Sequence, residues 1–278
     1  MSISIDRRAR LSLAEFRSEY VAQSKPVILT DAIDHWPATG KWNLDYFEST
    51  YGDKTVRFDK KEWKVGDLIR ALKTSDGNGI TPYLKEVKLD EQFPELWQDV
   101  LGIDAAKGNR LMSKWLPRAM RIDRGVVALF IGSKGSGFRK LHWDYSYLHV
   151  FISQVCGGKD FMAFRPDQTR HLYPNPEQDN ISLIPDPYDV DAQKFPDFAS
   201  AECAKFTIAQ GETLFLPAGW WHATHITEPS IAIAESTLDR FNWNQRKNWY
   251  LDMYARNNVP PVKRKLLNAY MTVVDKLI

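Results

Sequence analysis

Between residues 126 and 234 the chain is cut into short apolar runs with turn-forming residues between them: 126–131, 141–144, 150–155, 161–164, 206–208, 213–216 and 230–234. Runs this short, rich in β-branched and aromatic residues and bounded by glycine, proline and asparagine, predict strands rather than helices. Many short strands at such spacing close into a barrel or pack as a sandwich. This constrains the fold more than any other feature of the sequence, and predicts a mainly β architecture.

The flanks read differently. Ser12 and Glu15 have capping-box spacing, and Leu13, Phe16, Tyr20 and Val21 then share one helical face, which predicts a helix over 12–23 ended by Pro26. Residues 26–30 read as a buried strand, Asn43 caps a helix carrying Leu44, Phe47 and Tyr51, and 75–79 read as a flexible loop. From Asn242 the period is helical. It is broken at Pro260 and Pro261 and resumes with Leu266, Tyr270, Val273 and Leu277, flanked by Val262, Leu267 and Val274, an apolar stripe too broad to be left in water. The expected organisation is an α/β part over 1–125 packed on a barrel core over 126–238, followed by a helical segment over 239–278, with no linker between barrel and tail.

Charge excludes some partners and leaves others open. Thirty-seven lysines and arginines against 35 acids leave a formal charge of +2, so binding to nucleic acid needs a local patch rather than a global excess. Two patches exist: 175–200 carries six acids against Lys194 alone, and 240–278 carries eight basic residues against Asp252 and Asp275. A solvated loop and a solvated helix face are the plain readings; an acidic substrate rim and a basic surface for RNA are the functional ones. Cys156 and Cys203 are too few for a zinc cage or a disulfide framework. Without an apolar leader or a run of about 18 apolar residues, the chain is expected to be cytoplasmic and free of the membrane.

The chemistry concentrates in three residues. His142 and Asp144 are two apart, which on a strand places both on one face, and His222 follows 80 residues after His142. Two imidazoles and one carboxylate on one side of a metal leave its other positions open, the arrangement of non-haem iron oxygenases. A zinc-dependent hydrolase or isomerase could use the same donors, but no candidate general base accompanies them.

Residues 25–236 resemble the JmjC and cupin-like oxygenases that use 2-oxoglutarate. The resemblance rests on Leu129, Phe130, Ile131 and Gly132 ahead of the His-x-Asp pair and on the run from Gln154 to Lys159 after it. It rests also on Lys194 to Phe198, on the segment from Pro217 to His222, and upstream on Lys25 to Leu29 and Trp36-Pro37. It implies a double-stranded β-helix and an enzyme that uses Fe(II), 2-oxoglutarate and O2. It makes His142, Asp144 and His222 the iron ligands, Lys159 the cation for the far carboxylate of 2-oxoglutarate, and Tyr83 an assisting hydroxyl. Lys159 follows a Gly157-Gly158 turn suited to a hairpin and shares strand parity with Phe161 and Ala163, so it can point inward.

The implied reaction is hydroxylation of a side chain in a peptide or protein, coupled to decarboxylation of 2-oxoglutarate to succinate. The alternatives are a weak or inactive module that binds peptide or RNA, and a hydroxylase of a tRNA base or small molecule. The inactive reading is favoured by Val150, which stands where many relatives carry an asparagine. C-terminal helices in related cupin-like hydroxylases dimerise, which implies a homodimer here. Around the ligands, Tyr145 and Tyr147 are expected at the mouth in reach of substrate, and Trp143 and Trp221 outside the barrel against helices. His149 either touches substrate or is a hydrogen-bonded barrel residue, and His225 faces away from His222.

Overall fold

The computed structural model describes residues 3–58, 60–76, 82–118, 120–121 and 126–277; the loop expected over 75–79 lies outside them from residue 77 on. Twelve strands are present in this part: β1 Asp6–Arg8, β2 Val27–Leu29, β3 Thr55–Phe58, β4 Lys61–Lys64, β5 Leu84–Lys88, β6 Val126–Gly132, β7 His149–Cys156, β8 Lys159–Phe164, β9 Cys203–Ile208, β10 Thr213–Leu216, β11 Trp221–His225 and β12 Ser230–Thr237. Seven of them form one sheet in the order β1-β2-β10-β7-β12-β6-β5, and β11-β8-β9 form a second; β3 and β4 make a separate hairpin. All pairings are antiparallel except β1 with β2.

The two sheets face each other as a cupin-type jelly roll, and the alternation of side chains fills the space between them. Ile28, Val150, Leu214 and Leu216 from the large sheet meet Phe161, Ala163, Ala204 and Ile208 from the small one. The other face of the large sheet is covered by the N-terminal part, where Phe16, Ile33, Trp36 and Phe47 pack on Val127, Leu129, Phe151 and Phe215. Strands β1, β2 and β5 of that part also extend the large sheet itself.

Helices follow their capping signals. Ser12 accepts from the Glu15 amide while Glu15 reaches back to the Ser12 amide, starting α1 Leu13–Phe16, which continues as a π-helical turn over Arg17–Val21. Two short elements follow: α2 Pro37–Lys41, and α3 Leu44–Tyr51, in which Asn43 accepts from the Tyr46 amide. Further along are α4 Val65–Lys73, α5 Leu89–Gln92, α6 Trp243–Arg256 and α7 Pro261–Leu277.

Two expectations are corrected. Gly157 and Gly158 do not close a hairpin: β7 and β8 belong to different sheets, and the pair turns the chain from one to the other. Gly157 has φ +69°, and a Cβ on it would stand 1.9 Å from the Pro229 carbonyl oxygen, so the corner admits only glycine. The stripe on the last helix is also divided. Leu267, Met271 and Val274 pack against α6 residues such as Trp243 and Tyr250, whereas Val262, Leu266, Tyr270, Val273 and Leu277 remain exposed by 44–66%.

Candidate metal centre

His142, Asp144 and His222 meet at one end of the jelly roll, with one ligand atom from each lying within 4.8 Å of the others. His222 is held inside β11, whereas His142 pairs through single bridges to His222 and Ile181 and Asp144 lies beyond any strand. The expected strand over 141–144 is therefore reduced to one paired residue. Reciprocal backbone bonds between His142 and His222, 3.0 and 2.6 Å, set the spacing of the two rings, whose centroids are 4.3 Å apart.

Each imidazole is oriented through Nδ1. That of His142 is 2.8 Å from the Lys140 carbonyl oxygen and that of His222 is 3.3 Å from the Trp220 carbonyl oxygen. A carbonyl oxygen only accepts, so each Nδ1 donates, which leaves Nε2 as the lone-pair nitrogen. Both Nε2 atoms are 4.0 Å from the same Asp144 oxygen. Burial pushes both rings down to about 4, with the neighbouring His222 acting further on His142, so they are neutral near pH 7. Burial pushes the Asp144 carboxyl up, opposed by His142. Two neutral nitrogens and a carboxylate that loses its proton readily to a cation match a divalent first-row metal.

Beyond the triad lies a cavity of about 70 Å³ lined by Tyr83, Phe130, Val150, Lys159, Phe161 and Thr224, among others. Lys159 is only 3% exposed and, among the described residues, makes no ion pair, although Glu86 and Asp144 line the same cavity. A buried cation without an ion-pair partner suits an anionic ligand. Two features of this wall carried no sequence signal. Glu86 reaches the cavity through a left-handed residue, φ +55°, where β5 shifts register against β6, and Thr224 enters as the second residue after His222 on β11.

The aromatic neighbours divide. Trp143 and Trp221 are buried with Leu141, Met162, Phe164 and Leu172, and Trp221 Nε1 donates to the Thr169 hydroxyl 2.9 Å away. They pack on the outer face of the small sheet under the excursion between β8 and β9, where Thr169 and Phe198 belong to the short 3-10 helices Pro166–His171 and Pro196–Ser200. Tyr145 and Tyr147 do not line the metal cavity; they open onto an adjoining cleft beside α6. His149 lies on the face of β7 opposite Val150, its Nδ1 accepting from the Ala218 amide at 2.9 Å and its Nε2 3.5 Å from Asp239. The structure thus places it in a structural hydrogen-bonded position outside the cavity. His225 lies beside Tyr188, the rings tilted with centroids 5.8 Å apart.

A profile of the Cupin-like domain matches residues 13–235. Among curated proteins the chain is 30% identical over 236 residues to "Lysine-specific demethylase 8" of Xenopus tropicalis, covering 80% of this chain and 50% of that protein. It is 26% identical to "Lysine-specific demethylase JMJ21" of Arabidopsis thaliana, covering 86% of this chain and 26% of that one. It is 28% identical to "Arginine-specific demethylase JMJ22", also of Arabidopsis thaliana, covering 86% and 47%. The chain therefore spans half or less of the length of these relatives. Among the described residues no helix is long and apolar enough to cross a membrane.

Proposed function

The chain belongs to the cupin-like, JmjC-type family of Fe(II)- and 2-oxoglutarate-dependent oxygenases, and from that premise we propose that it hydroxylates a side chain of a peptide or protein. The observation that carries this reading is the pairing of a two-histidine, one-carboxylate cluster with a buried lysine that makes no ion pair among the described residues, across one small cavity. When bound, iron and 2-oxoglutarate supply the oxidising chemistry, with dioxygen consumed and succinate released. The protein supplies the rest. His142, Asp144 and His222 would hold the metal, Lys159 and Tyr83 would bind the far carboxylate, and Phe130, Val150 and Phe161 would keep water from the pocket.

Relatives named as lysine- and arginine-specific demethylases support a protein as substrate. Hydroxylation of an N-methyl group gives a hemiaminal that breaks into the N–H amine and formaldehyde, whereas hydroxylation at a carbon bearing no nitrogen leaves a stable alcohol. We assign the second outcome to this chain. The test is a mass search on lysate proteins, peptides and RNA treated with the enzyme, 2-oxoglutarate and ascorbate: a gain of one oxygen on a peptide is expected, and loss of a methyl group would transfer the chain to the demethylases. Val150, which lines the cavity, favours a second reading as a binding module without turnover. Succinate release from 2-oxoglutarate without added substrate separates the two, since a pure binding module releases none.

The same proposal includes a homodimer in the cytoplasm. The exposed stripe of α7 continues into Met112 and Trp115, both nearly half exposed, with the Tyr270 hydroxyl donating to the Trp115 carbonyl oxygen. A two-fold contact covers such a stripe with its own copy.

A further inference from the structure

His222 is the second residue of β11 and follows a tight turn from Pro217 to Trp220. The Trp220 amide donates to the Pro217 carbonyl oxygen at 3.3 Å, and Gly219 between them takes φ +81°. The Trp220 carbonyl oxygen is the acceptor for His222 Nδ1, so the peptide that aims this ligand belongs to the turn. Whatever holds the turn therefore sets the direction of His222 Nε2.

On one side the Trp220 indole donates to the Ser24 carbonyl oxygen at 2.9 Å. On the inner side the Ala218 amide donates to His149 Nδ1, also at 2.9 Å. An amide offers only its proton, so Nδ1 carries the lone pair and the proton of the neutral ring sits on Nε2. That nitrogen faces Asp239 Oδ1 at 3.5 Å, the oxygen that the Phe241 amide fixes at 2.7 Å. Carboxylate, imidazole and turn amide thus form a line that ends two peptides short of Trp220. The same loop reaches the other side of the metal cluster: Asn242 accepts from the Asp239 amide at 2.8 Å and donates at 3.0 Å to the Tyr147 carbonyl oxygen, three residues after Asp144.

Packing alone does not call for a histidine here. His149 is 4% exposed and lies against the Phe215 ring, 5.4 Å between centroids, where an apolar side chain would bury at lower cost. What the imidazole adds is an acceptor for the Ala218 amide, which the fold buries. We infer that His149, with Asp239 behind it, is a positioning residue for His222, holding the Pro217–Trp220 turn so that the Trp220 carbonyl oxygen keeps the ligand ring aimed. The inference rests on the metal-centre reading above and extends it to a residue that touches neither metal nor co-substrate.

Anaerobic titration of the full chain with Co(II), followed by its visible d–d absorption, tests this without turnover. His149→Leu removes the acceptor, whereas in His149→Asn the side-chain oxygen replaces Nδ1. Leu72→Ala, in the N-terminal cover, lowers stability and has no part in this network. His149→Leu should bind Co(II) about tenfold more weakly with an altered band, and the other two should stay within about threefold of wild type. Wild-type affinity in His149→Leu, or equal weakening by His149→Asn or Leu72→Ala, overturns the inference. Should His149→Leu not fold, the nitrogen NMR shifts of the wild-type imidazole decide: a proton on Nε2 supports the inference and one on Nδ1 overturns it. A wild type that binds no Co(II) fails the metal-centre reading itself, which keeps the two failures distinguishable.

Discussion

The Lys159 ammonium lies 3.4 Å from the Tyr83 hydroxyl and donates to it. Burial alone lowers Lys159 to about 7, because the low-dielectric pocket disfavours the charge. The protonated form binds the co-substrate, so affinity for 2-oxoglutarate is full below pH 7 and falls above it, by roughly tenfold per pH unit, as a proton must be taken up on binding. Titrating anaerobic, metal-loaded protein with 2-oxoglutarate from pH 6.5 to 9 should show this slope. In Lys159→Ala the slope should vanish and affinity at pH 7 should drop about 30-fold or more, the result of leaving a buried carboxylate unpaired. A variant that binds like wild type would remove Lys159 from the site.

Glu235 on β12 is half-buried and, among the described residues, makes no ion pair, and burial raises its carboxyl to about 7. The folded state therefore holds a proton that the unfolded chain, with its usual value near 4.3, has released. Stability contributed at this position is greatest below about pH 4.5 and declines as pH rises to about 7, by up to roughly 3 kcal/mol. Glu235→Gln should abolish that decline and be more stable than wild type at pH 8, with little difference at pH 4.5. Urea unfolding of both proteins at the two pH values measures it, and parallel pH dependences would contradict it.

The outer stripe of α7 predicts association. Leu266→Glu with Val273→Glu changes only exposed positions and leaves the Met271 and Val274 face on α6 intact. Light scattering should give two chains for wild type and one for the variant. A monomeric wild type ends the proposal of a dimer.

The parts legible in the sequence are those where local pattern and burial agree. Strands β6, β7, β10 and β12 are apolar runs with both faces covered, and their periodicity survives folding. Edge strands β1 and β5, Asp-Arg-Arg and Leu-Lys-Glu-Val-Lys, carry charges on their open sides and give no apolar run, so their place in the sheet comes from tertiary pairing. The metal cluster is legible from its motifs because each ligand sits in a distinctive local sequence. Its surroundings are less so. Tyr145 and Tyr147 are expected at the cavity mouth because they follow Asp144 closely, but Ser146 and Tyr147 take φ +70° and +53°, and this left-handed turn carries the chain away from the cavity into the cleft beside α6. Glu86 reaches the cavity by the same kind of exception.

The central claim is that His142, Asp144 and His222 hold an iron that 2-oxoglutarate also binds, beside Lys159. Anaerobic visible absorption of the protein with stoichiometric Fe(II) and an excess of 2-oxoglutarate tests it most directly. The prediction is a weak charge-transfer band that requires both additions and is absent from His142→Ala. A wild-type protein that carries its iron and shows no band when 2-oxoglutarate is added would contradict the account.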